Sequence, residues 1–312
     1  MADSLHHAPD AQTGFFASKL WHFVILLLLG VFWGLSFSLA RMSTENQMHP
    51  LSINLWAIIV STIGLAIFCL ATGRRVPLQK HYVILYVICG LLGSVIPGTL
   101  YFYAASKVSA GVLSITVATV PLTTFLGAAA FRIETPSLAR VLGVVLGIVS
   151  ISLLVAPRTS LPDPSAAFWV VVMVLGAGCY AIENLVIAAR MPANADIYAV
   201  VFGMFVAATL MMLPVIWIAG AFEGLPWPLT RPALAIIGMG LITATAYGGF
   251  YYLVVHAGPV FASQCAYLVT LAGVLWGIAI YGESHSAWVW TSLATMIIAL
   301  ILVQPRRPAR SR

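Results

Sequence analysis

Ala40-Arg41-Met42, which closes the first apolar run of the chain, returns as Ala189-Arg190-Met191 after the sixth. At the same offset of 149 residues Tyr101-Phe102-Tyr103 is answered by Phe250-Tyr251-Tyr252, Ser114 by Ser263, and Phe131-Arg132-Ile133-Glu134 by Ile280-Tyr281-Gly282-Glu283. An ungapped repeat of this length says that one structural unit occurs twice, and halved membrane proteins keep their working site where the halves meet.

The composition supplies the solvent. Of 312 residues 61% are hydrophobic and 8% charged, with a mean hydropathy of +1.01; soluble domains carry about a quarter charged residues. Ten apolar runs, at 21–40, 52–71, 82–104, 109–131, 138–156, 167–189, 198–219, 233–255, 259–281 and 287–303, each approach the ~20 residues that cross a hydrocarbon core. Lipid offers the backbone no hydrogen-bond partners, so the runs must be helices, and the alternation of a barrel strand is absent. The fold class expected is an all-α polytopic membrane protein.

The net charge of +6 reports topology rather than nucleic acid. With the N-terminus inside, Lys19, Arg74, Arg75, Lys80, Arg132, Arg140, Arg190 and the arginines of the tail after Pro305 fall on the cytoplasmic side, against Arg41, Lys107, Arg158 and Arg231 outside, the positive-inside asymmetry. Both termini are therefore expected in the cytoplasm, around a multi-pass protein of the plasma membrane, in a bacterium the inner membrane. Ser38-Leu39-Ala40 after an apolar stretch imitates a leader cleavage site, but the run is long and its equivalent ending at Ala189 cannot be a leader. Cys69, Cys89, Cys179 and Cys265 lie inside predicted spans without metal-ligand spacing, so neither a disulfide nor a metal or cofactor site is expected.

Five spans per repeat is an odd number, so the halves enter the membrane in opposite senses and Arg41 and Arg190 lie on opposite faces. The expected organisation is a tail (1–20), a first repeat (21–156), an external linker (157–166), a second repeat (167–304) and a basic cytoplasmic tail (305–312). An inverted repeat has two nearly equivalent arrangements, opening to opposite faces, which is the geometry of alternating access.

Val120-Pro121-Leu122-Thr123-Thr124, then Phe131-Arg132-Ile133-Glu134-Thr135-Pro136, then Gly143 and Gly147, resemble the stretch from the fourth to the fifth helix of the EamA type of the drug/metabolite transporter superfamily. The second half matches less closely, keeping Glu283 but holding Thr270 for Pro121 and Ser292 for Gly143. The resemblance, over about residues 21–304, implies ten spans in two five-span repeats, and a central cavity bordered by the first, third, fourth, sixth, eighth and ninth helices. It implies transport of a small organic solute and leaves the substrate open.

Glu183 is the one carboxylate expected deep in a span, and its repeat partner is Gly34. A group present in one half only is where function breaks the symmetry. An intramembrane acid facing lipid would cost at least ~2.5 kcal/mol, so Glu183 should face protein or water, as a counter-ion for an amine, a proton-coupling group or helix glue. Asn184 beside it is read as helix packing. On the cavity the resemblance implies, the candidate lining residues are Glu183, Trp33, Tyr101, Tyr103, Tyr247, Tyr251, Gln264 and Tyr267. Lys107 and His256, repeat equivalents at span ends, are candidate gate or helix-end residues, and Glu134 and Glu283 are read as structural acids at helix starts. Gly90, Ser94, Pro97 and Tyr101 are spaced as one face of the third helix.

The reading is a secondary transporter for a small metabolite or drug-like solute, an amino acid or other amine-bearing molecule favoured, coupled to protons or to exchange. No GxxxxGK[ST] loop is present to bind ATP. The chain is not read as an enzyme, since an intramembrane enzyme needs paired catalytic groups on facing spans. The remaining alternatives are an antiporter for phosphorylated sugars, which calls for basic residues mid-span, and a channel or scramblase. Expected partners are the solute and the lipid bilayer, with no nucleic acid, in a monomer or homodimer.

Overall fold

The computed structural model of the chain describes residues 11–133, 135–156, 161, 163–192, 195–257, 259–262 and 264–303; of 11–19, 251, 254–256, 259 and 260 only the backbone is described. Ten helices cover the ten apolar runs. The first repeat comprises α1 (Ala11–Ser43), α2 (Pro50–Ala71), α3 (Lys80–Ala105), α4 (Ala110–Ala130) and α5 (Leu138–Val155). The second comprises α6 (Ala166–Arg190), α7 (Ile197–Ile218), α8 (Arg231–Ala257), α9 (Cys265–Tyr281) and α10 (Ala287–Val303), with a single turn, Pro259–Ala262, leading into α9. Eight are long and apolar enough to cross a membrane, and α9 and α10 are shorter apolar helices of 17 residues.

Local chemistry sets the ends. His49 accepts the Leu51 N–H through Nδ1 ahead of Pro50 at the first position of α2, Ser109 accepts from Val112 at the start of α4, and Asp196 accepts from Tyr198 and Ala199 at the start of α7. Each satisfies backbone donors that a helix start leaves unpaired. α9 ends on Gly282 at φ +62°, the left-handed geometry that a side chain resists.

Two helices are interrupted. α3 is α-helical to Gly90, turns as a π helix over Leu91–Val95 and resumes at Ile96, with Pro97, which has no N–H to donate, in the resumed first turn. The extra residue of a π turn rotates everything beyond it. The single face expected of Gly90, Ser94, Pro97 and Tyr101 is therefore split: Gly90 lies against Met204 of α7, Pro97 against Gly176 of α6, and Tyr101 against Phe37 of α1. α4 breaks at Ala118–Thr119, and Pro121 opens its second segment.

The inverted repeat is visible in which helices pack together. α1 packs on α8 and α9, and its mate α6 packs on α3 and α4; α2 packs on α8, and its mate α7 on α3. The pairs α2–α7, α4–α9 and α5–α10 are their own mates. The molecule thus holds two mixed bundles, α1–α8–α9 and α3–α4–α6, each drawing helices from both repeats. They meet along a seam where α4 runs beside α9, and Ser114 of α4 donates to the Thr270 carbonyl of α9 across it. The α5–α10 pair is closed by Ser150 and Ser292, each hydroxyl donating to the other residue's carbonyl at 2.8 Å.

Candidate functional site

Glu183 lies about two turns before the end of α6 and is 4% exposed. The acid faces protein, not lipid. Its carboxyl lies on Gly93, in the middle of the π turn of α3, where any Cβ would collide with it. Among the described residues no hydrogen-bond donor reaches its oxygens. Beside it is a cavity of about 10 Å³, bordered by Cys89 of α3, Ile187 of α6, Val200 and Met204 of α7 and Tyr247 of α8, which is room for about one water molecule. Small residues at Gly93 and Gly176 let α3 come this close to α6.

The same π turn meets a second polar side chain. Asn54 of α2 is buried, and its amide group points at the carbonyls of Ser94 and Val95, both at 3.3 Å, and the Thr99 hydroxyl at 3.1 Å. Asn54 thereby adds side-chain donors to the carbonyls at the exit of the π turn. Its repeat equivalent is Gly203, which packs against the Tyr86 ring. Asn54, like Glu183, is present in one repeat only, a signal available in the sequence at the same offset and overlooked there.

The aromatic candidates divide into two groups. Trp33 of α1 stands 5.9 Å from the ring of Tyr247 and 6.2 Å from Phe250, and Tyr247, which also borders the small cavity, meets Phe205 of α7 at 6.1 Å. Trp33, Tyr247 and Glu183 are thus brought to one region. Tyr101 instead packs on Phe37 and Phe102, and Tyr103 stacks on Trp169 of α6, 6.2 Å between centroids and 4° between planes, with His49 at its edge. Tyr267 packs among the core side chains around α4 and α9, and Gln264 is the residue before α9, without a side-chain cap bond. The side chains of Tyr251 and His256, Ser263, and Glu134 lie outside the described residues. Lys107 is exposed beyond the end of α3. Asn184 donates to the Thr124 hydroxyl, tying α6 to α4.

A second polar cluster occupies the face on which α1 ends. Glu283, expected to serve the start of its own helix, caps α4 instead: its two oxygens accept the N–H groups of Ala110 at 2.8 Å and Gly111 at 3.1 Å. Arg41 of α1 reaches the same carboxylate at 2.5 Å and lies over the Tyr281 ring, 4.4 Å from its centroid. His285 Nε2 is 3.3 Å from it, off the line of a good hydrogen bond. Burial opposes ionisation of Glu283, but His285, the Ala110 and Gly111 amides and the Arg41 charge outweigh it and hold the carboxyl below the usual carboxylate range. A cavity of about 200 Å³ adjoins the cluster, lined by Arg41, Ser109, Tyr281 and His285. The described residues hold no group of three or more metal-ligating side chains.

This architecture has relatives. The chain is 27% identical over 285 residues to YedA of Escherichia coli strain K12, an uncharacterized inner membrane transporter, with 90% of each chain covered; the same figures hold for YedA of strain O157:H7. A solved structure described only as a crystal structure of protein superposes with a TM-score of 0.62 at 18% identity, covering 89% of this chain and 94% of that one, a likeness of fold. The model of the EamA-like transporter family matches twice, over residues 20–156 and again over 167–304. With both halves matched and ten helices arranged as two inverted repeats, the chain belongs to the EamA-like transporter family.

Proposed function

We propose that the chain is a secondary transporter that moves a small organic solute, an amine-bearing one favoured, across the inner membrane by alternating access, with Glu183 as its proton-coupling group. The Arg190 face is read as cytoplasmic, with both termini there, and the repeats 21–156 and 167–304 as each contributing helices to both moving bundles. One observation carries the coupling: Glu183 is buried beside a small, largely apolar cavity, and no hydrogen bond among the described residues reaches its carboxyl. An ionised carboxylate left there without a cation or donors is costly. A carrier built this way closes empty after taking up a proton and holds the open carboxylate ready for a cationic amine, so proton and solute exchange places on one group. The cavity of about 10 Å³ is too small for a solute, which fits an empty stage of that cycle, and the aromatic faces of Trp33 and Tyr247 near Glu183 suit an amphipathic cation.

Proteoliposomes with an imposed pH gradient test the reading. Uphill uptake or efflux of a labelled amine should collapse with a protonophore and be lost in Glu183→Gln. Accumulation that ignores the protonophore, is driven only by a counter-solute and survives Glu183→Gln would replace proton coupling by exchange.

A further inference from the structure

Gly176, Tyr180 and Glu183, spaced four and three apart, form one stripe of α6. α3 runs antiparallel along that stripe: the Glu183 carboxyl rests on Gly93, and a Cβ at Gly176 would stand 3.9 Å from Pro97 and 4.0 Å from Leu100. Tyr180 is therefore held at the level between Gly93 and Pro97, one turn from the acid. A helical side chain leans toward the start of its helix, so the Tyr180 ring points away from Glu183 and toward the end of α3, where Tyr101 lies. Tyr180 is within electrostatic range of Glu183 on one side and of Tyr101 on the other.

The hydroxyls along this line are unpaired. The Tyr101 ring packs on Phe37 and Phe102, but its hydroxyl is buried without a hydrogen bond. Tyr180 makes none among the described residues, and Ser38 Oγ, next to Phe37, is buried and unpaired as well. Buried hydroxyls nearly always have a partner, and here the exceptions run in one direction. They lead from the acid to Ser38, whose carbonyl lies 3.4 Å from the Tyr281 hydroxyl at the cavity of about 200 Å³ on the Arg41 face. The line borders the other bundle at both ends, with Tyr247 of α8 by Glu183 and Phe37 of α1 by Tyr101. It also exists once: at the offset of 149 residues Glu183, Tyr180 and Tyr101 correspond to Gly34, Val31 and Phe250, whose side chains have no donor or acceptor.

We propose that Tyr180 and Tyr101 bind the solute on its way between the Arg41 face and Glu183, their hydroxyls donating to an acceptor oxygen that the solute carries beside its amine. The proposal rests on the transport reading and adds to it the wall along which the solute moves and a requirement on its chemistry. With Tyr180 one turn from Glu183, amine and acceptor are separated by only a few bonds. An unpaired hydroxyl weakens the closed, empty protein, and a bond to the solute reverses that in the loaded one.

The test starts from the full chain in nanodiscs, its four native cysteines replaced by serine or alanine. Tyr180→Cys and Tyr101→Cys are treated with trimethylammonium-ethyl methanethiosulfonate, a small cation that lipid excludes. Both should react roughly tenfold faster than Leu175→Cys, which is 65% exposed on the outside of the same helix. An excess of 2-aminoethanol should slow the reaction of Tyr101→Cys more than ethylamine, which has no acceptor, and Tyr180→Phe should erase that difference. In the native background Tyr180→Phe and Tyr101→Phe remove only hydroxyls that have no partner, so the thermal transition should stay or rise. Reaction at neither tyrosine position above the Leu175→Cys rate, equal protection by the two amines with Tyr180 present, or a lowered transition in both phenylalanine variants overturns the proposal. Fast, amine-protected reaction in a protein that moves no labelled amine in either direction keeps the binding wall and removes the transport reading. If a cysteine variant does not fold, the phenylalanine variants decide, an unchanged or raised transition supporting and a lowered one overturning.

Discussion

The Glu183 carboxyl of α6 rests on Gly93 of α3, where that helix changes from α to π and back. The acid is thereby placed against the one part of α3 whose hydrogen bonding is not regular, and a change in its charge or volume acts on the helix at the point where it yields most easily.

Gly93→Ala should separate folding from function. The added Cβ meets the far end of a flexible side chain, which can swing aside, so the loss of stability should be about 1–3 kcal/mol at most. Transport should fall as far as in Glu183→Gln, and the double variant should be no worse than either alone, the signature of two residues acting as a unit. Uptake rates for the three variants check it, and additive losses would count against a shared role.

Asn54→Leu removes the donors that serve Ser94 and Val95. A typical buried hydrogen bond contributes about 0.5–1.5 kcal/mol net, so the thermal transition of the purified protein should fall. Asn54→Asp, which offers acceptors where donors are needed, should fare no better than Leu. A wild-type transition in both variants would mean that water serves the turn equally well.

The reciprocal hydroxyl pair Ser150–Ser292 joins α5 to α10, away from the seam. Ser150→Ala should cost about 0.5–1.5 kcal/mol, the double variant should cost less than the sum, and transport should be unaffected. A transport defect in a stable Ser150→Ala protein would move this pair from scaffold to machinery.

Stability should depend on pH through Glu283. Its carboxyl is held below the ordinary value of 4.5, so its stabilising contribution is complete above that value and is lost as pH falls through the lower, folded-state value. Wild type should therefore lose more thermal stability than Glu283→Gln on acidification below about pH 4.5. Parallel pH profiles for the two proteins would show that the carboxylate contributes nothing to the fold.

The sequence carried the ten helices and the inverted repeat because lipid makes span length and hydropathy nearly decisive and the offset has no gaps. Glu183 stood out because a lone intramembrane acid is costly wherever it points, and the structure turns it inward. The π turn left no comparable mark: Leu91-Leu92-Gly93-Ser94-Val95 differs from an ordinary apolar helix only in the Pro97 that follows. The partners of Glu283 lie 172 and 173 positions away, set by how the bundles close and invisible to local spacing. The aromatics scattered for a related reason, since the π turn in α3 rotates Tyr101 and Tyr103 relative to the residues before it.

Gly34 of α1 packs against Ala272 and Gly273 of α9, while its equivalent in α6 is Glu183. Two separate, identical five-helix chains assembled head to tail would have both positions alike: two acids, or none. Joining the halves in one polypeptide lets the count be odd, and on the proton coupling proposed for Glu183 a single acid would set one proton per turnover.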